Sequence, residues 1–300
     1  MSELYASIDI GTNSALLLIG ERREGILQPV YQRAESPRVG RNLAATGRIS
    51  DESFLALTDA LQTFTTAIRG CNARLVGAVA TEAFRIASNG PDLLAKVSET
   101  LGCEARIIAG PEESRLGYLA VANRHPSPNL AVLDIGGGST EATRKGGGFS
   151  IPIGAVNTLE ACGLDAAACR TRAAAAFNGF EDWRGNTDLV VVGGTVTALA
   201  MLELKLAAFD SDAIEGLRLD RTRVTAAIDL LAGLSDDRKK ALPGMDKQRS
   251  DILMPGLCIL EAFLDGVSAT EFLVSDRGIR YGVIIDWFIK ERARRQAVGP

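Results

Sequence analysis

The sequence is poor in the residues from which several common functional sites are built. It contains one histidine, His125, in 300 residues. A single imidazole excludes a histidine-rich metal site. His125 precedes Pro126 in a stretch typical of a surface loop, which also argues against a Ser-His-Asp triad. The catalytic and metal-binding groups must therefore be sought among the carboxylates and hydroxyls.

Cysteine is also scarce, and its distribution excludes a disulfide framework. The five cysteines are odd in number and scattered, and none forms a C-x-x-C pair. Such spacing is typical of reduced thiols in a cytosolic protein. We therefore predict a cytoplasmic protein without structural disulfides.

Long apolar runs and an excess of basic residues are both missing. No run approaches the roughly 20 apolar residues of a membrane span, and the N-terminus lacks the pattern of a signal peptide. Lys and Arg number 33 against 37 Asp and Glu, a formal net charge of −4. We therefore expect no membrane partner and no nucleic-acid partner, and any polyanionic ligand would need locally gathered basic residues.

The most informative stretch runs from Leu130 to Glu141. An apolar, partly β-branched run reaches the carboxylate of Asp134. After Ile135 come three glycines and two hydroxyl residues, and then a second carboxylate, Glu141. Glycines allow a tight turn whose successive amides form an anion-binding nest, and flanking acids suit a hard cation held beside phosphate. We predict a strand, a phosphate-binding turn with a magnesium site, and a return strand. The turn residues are Gly136, Gly137, Gly138 and Ser139.

A second copy of this pattern lies near the N-terminus. Residues 4–10 and 15–19 read as paired strands, and Asp9 stands 125 positions before Asp134. A repeat at that distance predicts two similar domains, each with a phosphate-binding hairpin. The corresponding turn residues are Gly11, Thr12, Asn13 and Ser14.

Between these hairpins, strands and helices alternate, which predicts an α/β protein. A third glycine turn, Gly193-Gly194-Thr195, lies between a buried strand and a helix, and fits an anion site or an ordinary turn equally well.

The charged run 236–240 is predicted to be a solvated helix face. Residues 247–264 are predicted to form a helix kinked or broken at Pro255-Gly256. The best linker is residues 124–129, where we place a domain boundary.

Several of these stretches resemble the exopolyphosphatase and guanosine pentaphosphate phosphatase (Ppx/GppA) family of the actin and sugar-kinase superfamily. They occur in the family's order and span nearly the whole chain. Most specific is the combination of Asp-Ile-Gly-Gly-Gly-Ser-Thr-Glu with Glu-Glu-x-Arg. The matching stretches begin at Ile8, Ala80, Gly110, Asp134, Ile151, Gly193, Pro255 and Ser275.

The resemblance implies a fold of two actin-like (ribonuclease H-like) domains with an active-site cleft between them. The final helix would return to the first domain. The domains would then be residues 1–124 with 281–300, and residues 125–280. Longer members add C-terminal helical domains, which we do not expect here, so the resemblance does not imply a processive grip on very long substrates. A homodimer is an expectation from the resemblance alone.

The resemblance also implies roles for individual residues. The catalytic glutamate falls on Glu113, and the phosphate-contacting arginine falls on Arg85. The magnesium (Mg2+) ligands fall on Asp134 and Glu141, with Asp9 a weaker candidate, and manganese (Mn2+) is a possible substitute. The three glycine turns would bind phosphate. Thr12 replaces the usual serine, and Ser114 stands where alanine is common.

The implied activity is hydrolysis of the terminal phosphoanhydride of inorganic polyphosphate. The sequence leaves open a guanosine pentaphosphate (pppGpp) phosphohydrolase, which needs the same phosphate clamp. A sugar or acetate kinase and a non-catalytic polyphosphate or nucleotide sensor are less favoured alternatives. An extended substrate would need a basic track, with these candidates: Arg38, Arg41, Arg115, Lys247, Arg249, Arg277 and Arg280.

Overall fold

The computed structural model describes residues 3–177, 180, 183–185 and 188–298, with the side chains of the helical residues 297 and 298 excepted. The strands are β1 (Tyr5–Ile10), β2 (Ala15–Arg23), β3 (Ile26–Glu35), β4 (Arg74–Ala80), β5 (Ala105–Ile107), β6 (Leu130–Ile135), β7 (Thr140–Arg144), β8 (Gly147–Ile151), β9 (Asp188–Val192), β10 (Arg218–Asp220) and β11 (Glu271–Val274). The helices are α1 (Leu43–Thr46), α2 (Asp51–Gly70), α3 (Glu82–Ile86), α4 (Gly90–Leu101), α5 (Gly110–Arg124), α6 (Ala155–Cys162), α7 (Ala166–Ala176), α8 (Gly194–Leu204), α9 (Ser211–Ile214), α10 (Arg221–Ala232), α11 (Asp236–Lys240), α12 (Leu253–Val267) and α13 (Ile279–Val298).

The chain divides into two compact units. Unit 1 comprises the residues up to Pro126 together with those from Arg277 onward, and unit 2 comprises Ser127–Asp276. Each unit has its own sheet and its own apolar core. Within the described part of the chain, no helix is both long enough and apolar enough to cross a membrane.

The sheet of unit 1 has the strand order β3-β2-β1-β4-β5. β1 pairs antiparallel with β2 and parallel with β4, which in turn pairs parallel with β5. The carboxyl ends of β1, β4 and β5 therefore lie at one edge of the sheet. The segments that follow these three strands carry most of the polar groups described below.

Helix α2 shows how local sequence builds this unit. The Ser50 side chain accepts a hydrogen bond from the Ser53 amide and so caps the first turn, with Asp51 and Glu52 favourably placed at the positive end of the helix. Leu57, Leu61, Phe64 and Ile68 recur at helical spacing and are buried in the core cluster of this unit. The helix forms because one face is apolar and its start is capped, as the sequence predicts.

The sheet of unit 2 has the order β10-β11-β9-β6-β7-β8. β6 pairs parallel with β9 and antiparallel with β7. The register places Asp134 directly opposite Glu141 on one side and Val192 on the other. The predicted strand–turn–strand hairpin at residues 130–144 is therefore confirmed.

One sequence-based prediction in unit 2 is wrong, and another holds for all but one residue. The helix expected from residue 247, broken at Pro255, instead begins at Leu253, and residues 247–252 form turns. Pro255 thus lies in the first turn, where a helix needs no proline amide and stays unbroken. The charged run 236–240 is helical, but Lys239 is only 1% exposed. Burial lowers the pKa of the Lys239 ammonium, so this side chain is not part of a solvated face.

Candidate active site

In unit 1, three segments meet at the carboxyl edge of the sheet. The register aligns Ile10 with Ala80, and Ala80 with Ile107. The Thr81 amide donates to the Ile10 carbonyl (3.1 Å), and the Ile108 amide donates to the Ala80 carbonyl (3.0 Å). These bonds bring together the turn after β1, the start of α3 and the approach to α5. The candidate site of this unit lies at this edge.

The central pair at this edge is Glu113 and Arg85. Glu113 lies in the first turn of α5 and is 6% exposed. The Arg85 Nη1 donates to Glu113 Oε2 (2.7 Å) and to the Ile108 carbonyl (2.8 Å). Within the described residues, the Nε and Nη2 of Arg85 donate to no acceptor, so they remain available to phosphate oxygens.

The pKa values of the adjacent glutamates Glu112 and Glu113 are shifted in opposite directions. Burial raises the pKa of Glu113, although the hydrogen bond and charge of Arg85 oppose this effect. Glu112 is more exposed and pairs with Arg106 (2.7 Å), which lowers its pKa. A buried carboxylate with a raised pKa is suited to accepting a proton near neutral pH. Only Glu113 of the two has the properties of a general base.

The turn after β1 exposes backbone donors. Its carbonyl oxygens are occupied, because Gly40 N donates to Thr12 O (2.8 Å) and Arg38 N donates to Asn13 O (3.0 Å). The Gly11 amide donates to Ser14 O (2.9 Å). The amides of Thr12 and Asn13 have no acceptor among the described residues. Successive amides without an acceptor are what an anion-binding nest requires. Arg38, a candidate for the basic track, lies beside it.

The glycine turn of unit 2 is built in the same way. The carbonyls of Gly136 and Gly137 accept from the first amides of α6, Ala155 N (3.0 Å) and Val156 N (2.7 Å). The amides of Gly137 and Gly138 donate to no acceptor in the part of unit 2 that the structure describes. The structure therefore presents donors, not acceptors, at this turn.

Asn157 and Gly154, at the start of α6, support this turn, and neither was predicted as a site residue. The Asn157 Nδ2 donates to the Gly138 carbonyl (2.6 Å), and its Oδ1 accepts from the Gly154 amide (2.8 Å). A Cβ on Gly154 would lie 2.4 Å from the Gly137 carbonyl carbon. The signal in the sequence is the polar Asn157 three positions after Gly154, because a polar side chain at that position can accept from the N-cap amide. Gly154 has no side chain with which to complete a capping box.

Asp134 and Glu141 face each other across β6 and β7. Glu141 is 3% exposed, and the Ser150 hydroxyl donates to its Oε1 (2.7 Å). Like charges directly opposite on neighbouring strands destabilise a sheet, and a bound cation removes that repulsion. Asp9, the third predicted ligand, is buried on β1 in unit 1. Among the described residues no group of three or more metal-binding side chains occurs.

The third glycine turn, between β9 and α8, lies against the side chain of Arg249. Gly193 has a φ of +98°, and a Cβ there would lie 2.8 Å from Asp134 Oδ1. A Cβ on Gly194 would lie 2.0 Å from the Arg249 Nη1, so the guanidinium lies directly on the first residue of α8. Thr195 packs equally closely against Gly256. The helix start, the guanidinium and Asp134 are therefore neighbours. The guanidinium and the helix start would attract an anion, whereas the Asp134 carboxylate would oppose it.

Four of the seven basic candidates make internal contacts. Arg277 is buried and donates to the Leu27 carbonyl (2.9 Å), and Arg280 donates to Gln32 Oε1 (2.7 Å). Arg115 pairs with Asp286 (2.7 Å), and Arg249 pairs with Asp246 (3.3 Å). Arg41 and Lys247 are exposed, whereas Arg38 and Arg249 are half-buried beside glycine turns.

Comparisons with known proteins find similar sequences and similar folds. The sequence profile of the Ppx/GppA phosphatase family matches residues 18–291. The crystal structure of the Aquifex aeolicus Ppx/GppA family member is 28% identical, covers 97% of this chain and 99% of its own, and superposes with a TM-score of 0.79.

Two further solved structures are similar over most of their length. One, described as an exopolyphosphatase-like protein, is 25% identical with a TM-score of 0.86, over 96% of this chain and 99% of its own. The other, an exopolyphosphatase from Cytophaga hutchinsonii, is 21% identical with a TM-score of 0.83, over 95% and 98%. These matches confirm the predicted α/β class and its actin-like fold. The chain belongs to the Ppx/GppA phosphatase family.

Proposed function

We propose that this phosphatase hydrolyses the terminal phosphoanhydride bond of inorganic polyphosphate and releases orthophosphate. The observation that carries the proposal is the buried Glu113, held by Arg85 at the same sheet edge as a turn with two unbonded amides. Phosphoryl transfer depends mainly on positioning and charge stabilisation. A nest, an arginine with two available nitrogens and a base supply these requirements.

The proposed reaction uses Glu113 to deprotonate water. The amides of Thr12 and Asn13, with Nε and Nη2 of Arg85, hold the oxygens of the terminal phosphoryl group. Glu113 accepts a proton from a water molecule, and the water oxygen forms a bond to the terminal phosphorus. The bond from that phosphorus to the bridging oxygen breaks, and the shortened chain leaves with the electron pair. The proton on Glu113 then passes to solvent or to the departing phosphate.

Asp134 and Glu141 fit a hard divalent cation. Two opposed carboxylates suit magnesium, which prefers one or two carboxylates together with waters and substrate phosphate oxygens. This preference is compatible with a site that lacks a third acidic ligand. Mg2+, or Mn2+ in its place, would neutralise charge on the phosphate oxygens when bound. The Ser150 hydroxyl holds Glu141 in place for such a ligand.

The deciding experiment measures orthophosphate release with magnesium from long polyphosphate, tripolyphosphate and pppGpp, with Glu113→Gln as the blank. We expect release from polyphosphate that the blank lacks. The structure described as an exopolyphosphatase-like protein supports this choice of substrate by analogy. Release from pppGpp alone would overturn the polyphosphate assignment and retain the phosphatase mechanism. No release from any of the three would overturn both.

The pairing of Arg85 with Glu113 predicts a pH effect. The base acts when ionised, so kcat/KM falls as pH drops through its pKa, which burial places above the usual glutamate value. Arg85 opposes that rise. Arg85→Gln should therefore move the acidic limb of the kcat/KM profile to higher pH, and should also raise KM because two phosphate donors are lost.

The control is Arg106→Gln, which removes the partner of Glu112. Its acidic limb should coincide with that of the parent protein. If Arg85→Gln left the limb in place while Arg106→Gln moved it, Glu112 would be the base instead of Glu113.

Arg249 is expected to act on substrate affinity. Its guanidinium lies on Gly194 at the start of α8, and it is held there by Asp246 (3.3 Å). A hydrogen bond to a charged group contributes about 1.5–3 kcal/mol, or roughly a 10- to 100-fold change in affinity. Arg249→Gln should raise the KM for polyphosphate by about that factor. The exposed Arg238→Gln is the matched control, and an equal KM for both variants would remove Arg249 from the phosphate site.

A further inference from the structure

A second carboxyl group stands beside the catalytic pair and takes no part in the mechanism above. Glu82 is the first residue of α3 and follows Thr81 at the carboxyl end of β4. Residues three apart on a helix are neighbours on its surface, so Glu82 and Arg85 lie on the same face of α3. Glu82 is also close enough to Glu113 for their charges to interact. It therefore lies at the candidate site.

Glu82 is half-buried, and it makes no hydrogen bond and no ion pair within the described residues. Arg85, its neighbour, directs Nη1 to Glu113 and to the Ile108 carbonyl. Its carboxyl oxygens are not among the fully buried unpaired atoms of the described residues. They therefore reach the surface of the protein, where a bound ligand can contact them.

The electrostatics around Glu82 favour its neutral form. Burial raises its pKa to about 7, the charge of Glu113 adds to the rise, and the charge of Arg85 opposes it. Helix α4 packs against α3, and its charged residues Asp92, Lys96 and Glu99 are exposed to solvent.

We propose that Glu82, in its protonated form, donates a hydrogen bond to an oxygen of the terminal phosphoryl group and thereby makes substrate affinity depend on pH. The inference rests on the proposed phosphatase function. A neutral carboxyl donates to a phosphate oxygen, whereas a carboxylate only accepts and repels it. Loss of the proton from Glu82 therefore weakens binding, while loss of the proton from Glu113 is needed for catalysis. The two glutamates set opposite limbs of the pH profile.

The experiment compares KM for tripolyphosphate from pH 6 to pH 9 in the parent protein, Glu82→Gln and Glu82→Ala. Glutamine keeps a donor that does not titrate. At pH 6 its KM should equal the parent value. Between pH 7 and 9 the protonated fraction of a group with a pKa of about 7 falls roughly 50-fold. The parent KM should rise by up to about that factor relative to Glu82→Gln.

Glu82→Ala removes the donor at every pH. Its KM at pH 6 should be roughly tenfold above the parent value, as expected for loss of one hydrogen bond to a charged group. Glu112→Gln is the matched control, because it removes a negative charge one residue from the base without touching Glu82. Its KM should follow the parent pH dependence. An equal shift in Glu112→Gln would mean general charge relief and would overturn the proposal.

Two other outcomes would also overturn it. A Glu82→Gln KM that tracks the parent from pH 6 to 9 would show that the proton on Glu82 does not reach the substrate. A raised magnesium requirement in Glu82→Gln would make Glu82 a cation ligand. Calorimetric binding of inorganic phosphate over the same pH range needs no turnover. If the affinity for phosphate falls with pH as expected for Glu82, but the protein hydrolyses none of the three substrates, the role of Glu82 stands and the phosphatase function is rejected.

Discussion

Replacing Glu113 with glutamine should lower kcat for polyphosphate by roughly 10²- to 10⁴-fold, the usual contribution of a positioned general base. The amide has the shape of the carboxyl group but cannot accept the proton of the attacking water. Its oxygen can still accept from Arg85 Nη1, which is 2.7 Å from Glu113 Oε2 in the parent protein. The fold should therefore persist, and the measurement is orthophosphate release together with the thermal midpoint.

Glu112→Gln is the control for this prediction. Glu112 lies in the same helical turn, carries the same charge and pairs with Arg106 at the same N–O distance as the Arg85–Glu113 pair, 2.7 Å. Its turnover should stay close to the parent value. A Glu113→Gln enzyme with near-parental turnover would remove Glu113 from the role of base, whatever the result for Glu112.

The elements best predicted from the sequence are those whose determining residues lie close together in the chain. The two glycine hairpins were expected because a strand, a glycine turn and a return strand are encoded within about a dozen residues each. Helix α2 has its causes in its own sequence, the Ser50 cap and the apolar stripe. The end of α4 is local in the same sense, because Gly102 has a positive φ of 66° that glycine adopts without strain.

Elements whose causes are distant in sequence were missed or misplaced. Helix α12 packs through Gly256 against Thr195, some 60 residues earlier, and no local pattern reveals that contact. Lys239 lies in a run of charged residues that is typical of a solvent-exposed face. The structure nevertheless buries it in α11. A hydrogen bond from the Ser250 hydroxyl to Asp236 (3.2 Å) links this helix to the turns at residues 247–252.

The candidate site shows the same division. The sequence places Glu112 and Glu113 side by side in a first helical turn, and consecutive helical residues point about 100° apart. Which of them is buried depends on partners contributed by other elements, Arg106 from β5 and Arg85 from α3. Family resemblance selected Glu113, and the structure supplies a physical reason for the choice. The third turn could not be interpreted from sequence, because Arg249 lies more than 50 residues after it.

The second large effect is expected at Gly154, which touches no substrate group in the proposed mechanism. Its φ of −145° is open to any residue, so the requirement for glycine is one of space. A Cβ there would lie 2.4 Å from both the carbon and the oxygen of the Gly137 carbonyl and 2.5 Å from the Gly138 nitrogen. These are backbone atoms that cannot rotate away, so Gly154→Ala must displace the turn that presents the amides of Gly137 and Gly138.

Displacement of a positioning element by about 1 Å costs roughly 10²-fold in rate. We therefore expect Gly154→Ala to lower kcat/KM for polyphosphate at least that much, and overpacking to cost about 1–3 kcal/mol of stability. Gly233→Ala is the control, because a Cβ there meets its nearest atoms at 3.8 Å, an ordinary contact. If Gly154→Ala lost stability but kept parental kinetics, the turn at Gly136–Ser139 would be structural, and phosphate would be held elsewhere. Loss of both, with Gly233→Ala unaffected in kinetics, would mean that the shape of this turn contributes to substrate binding.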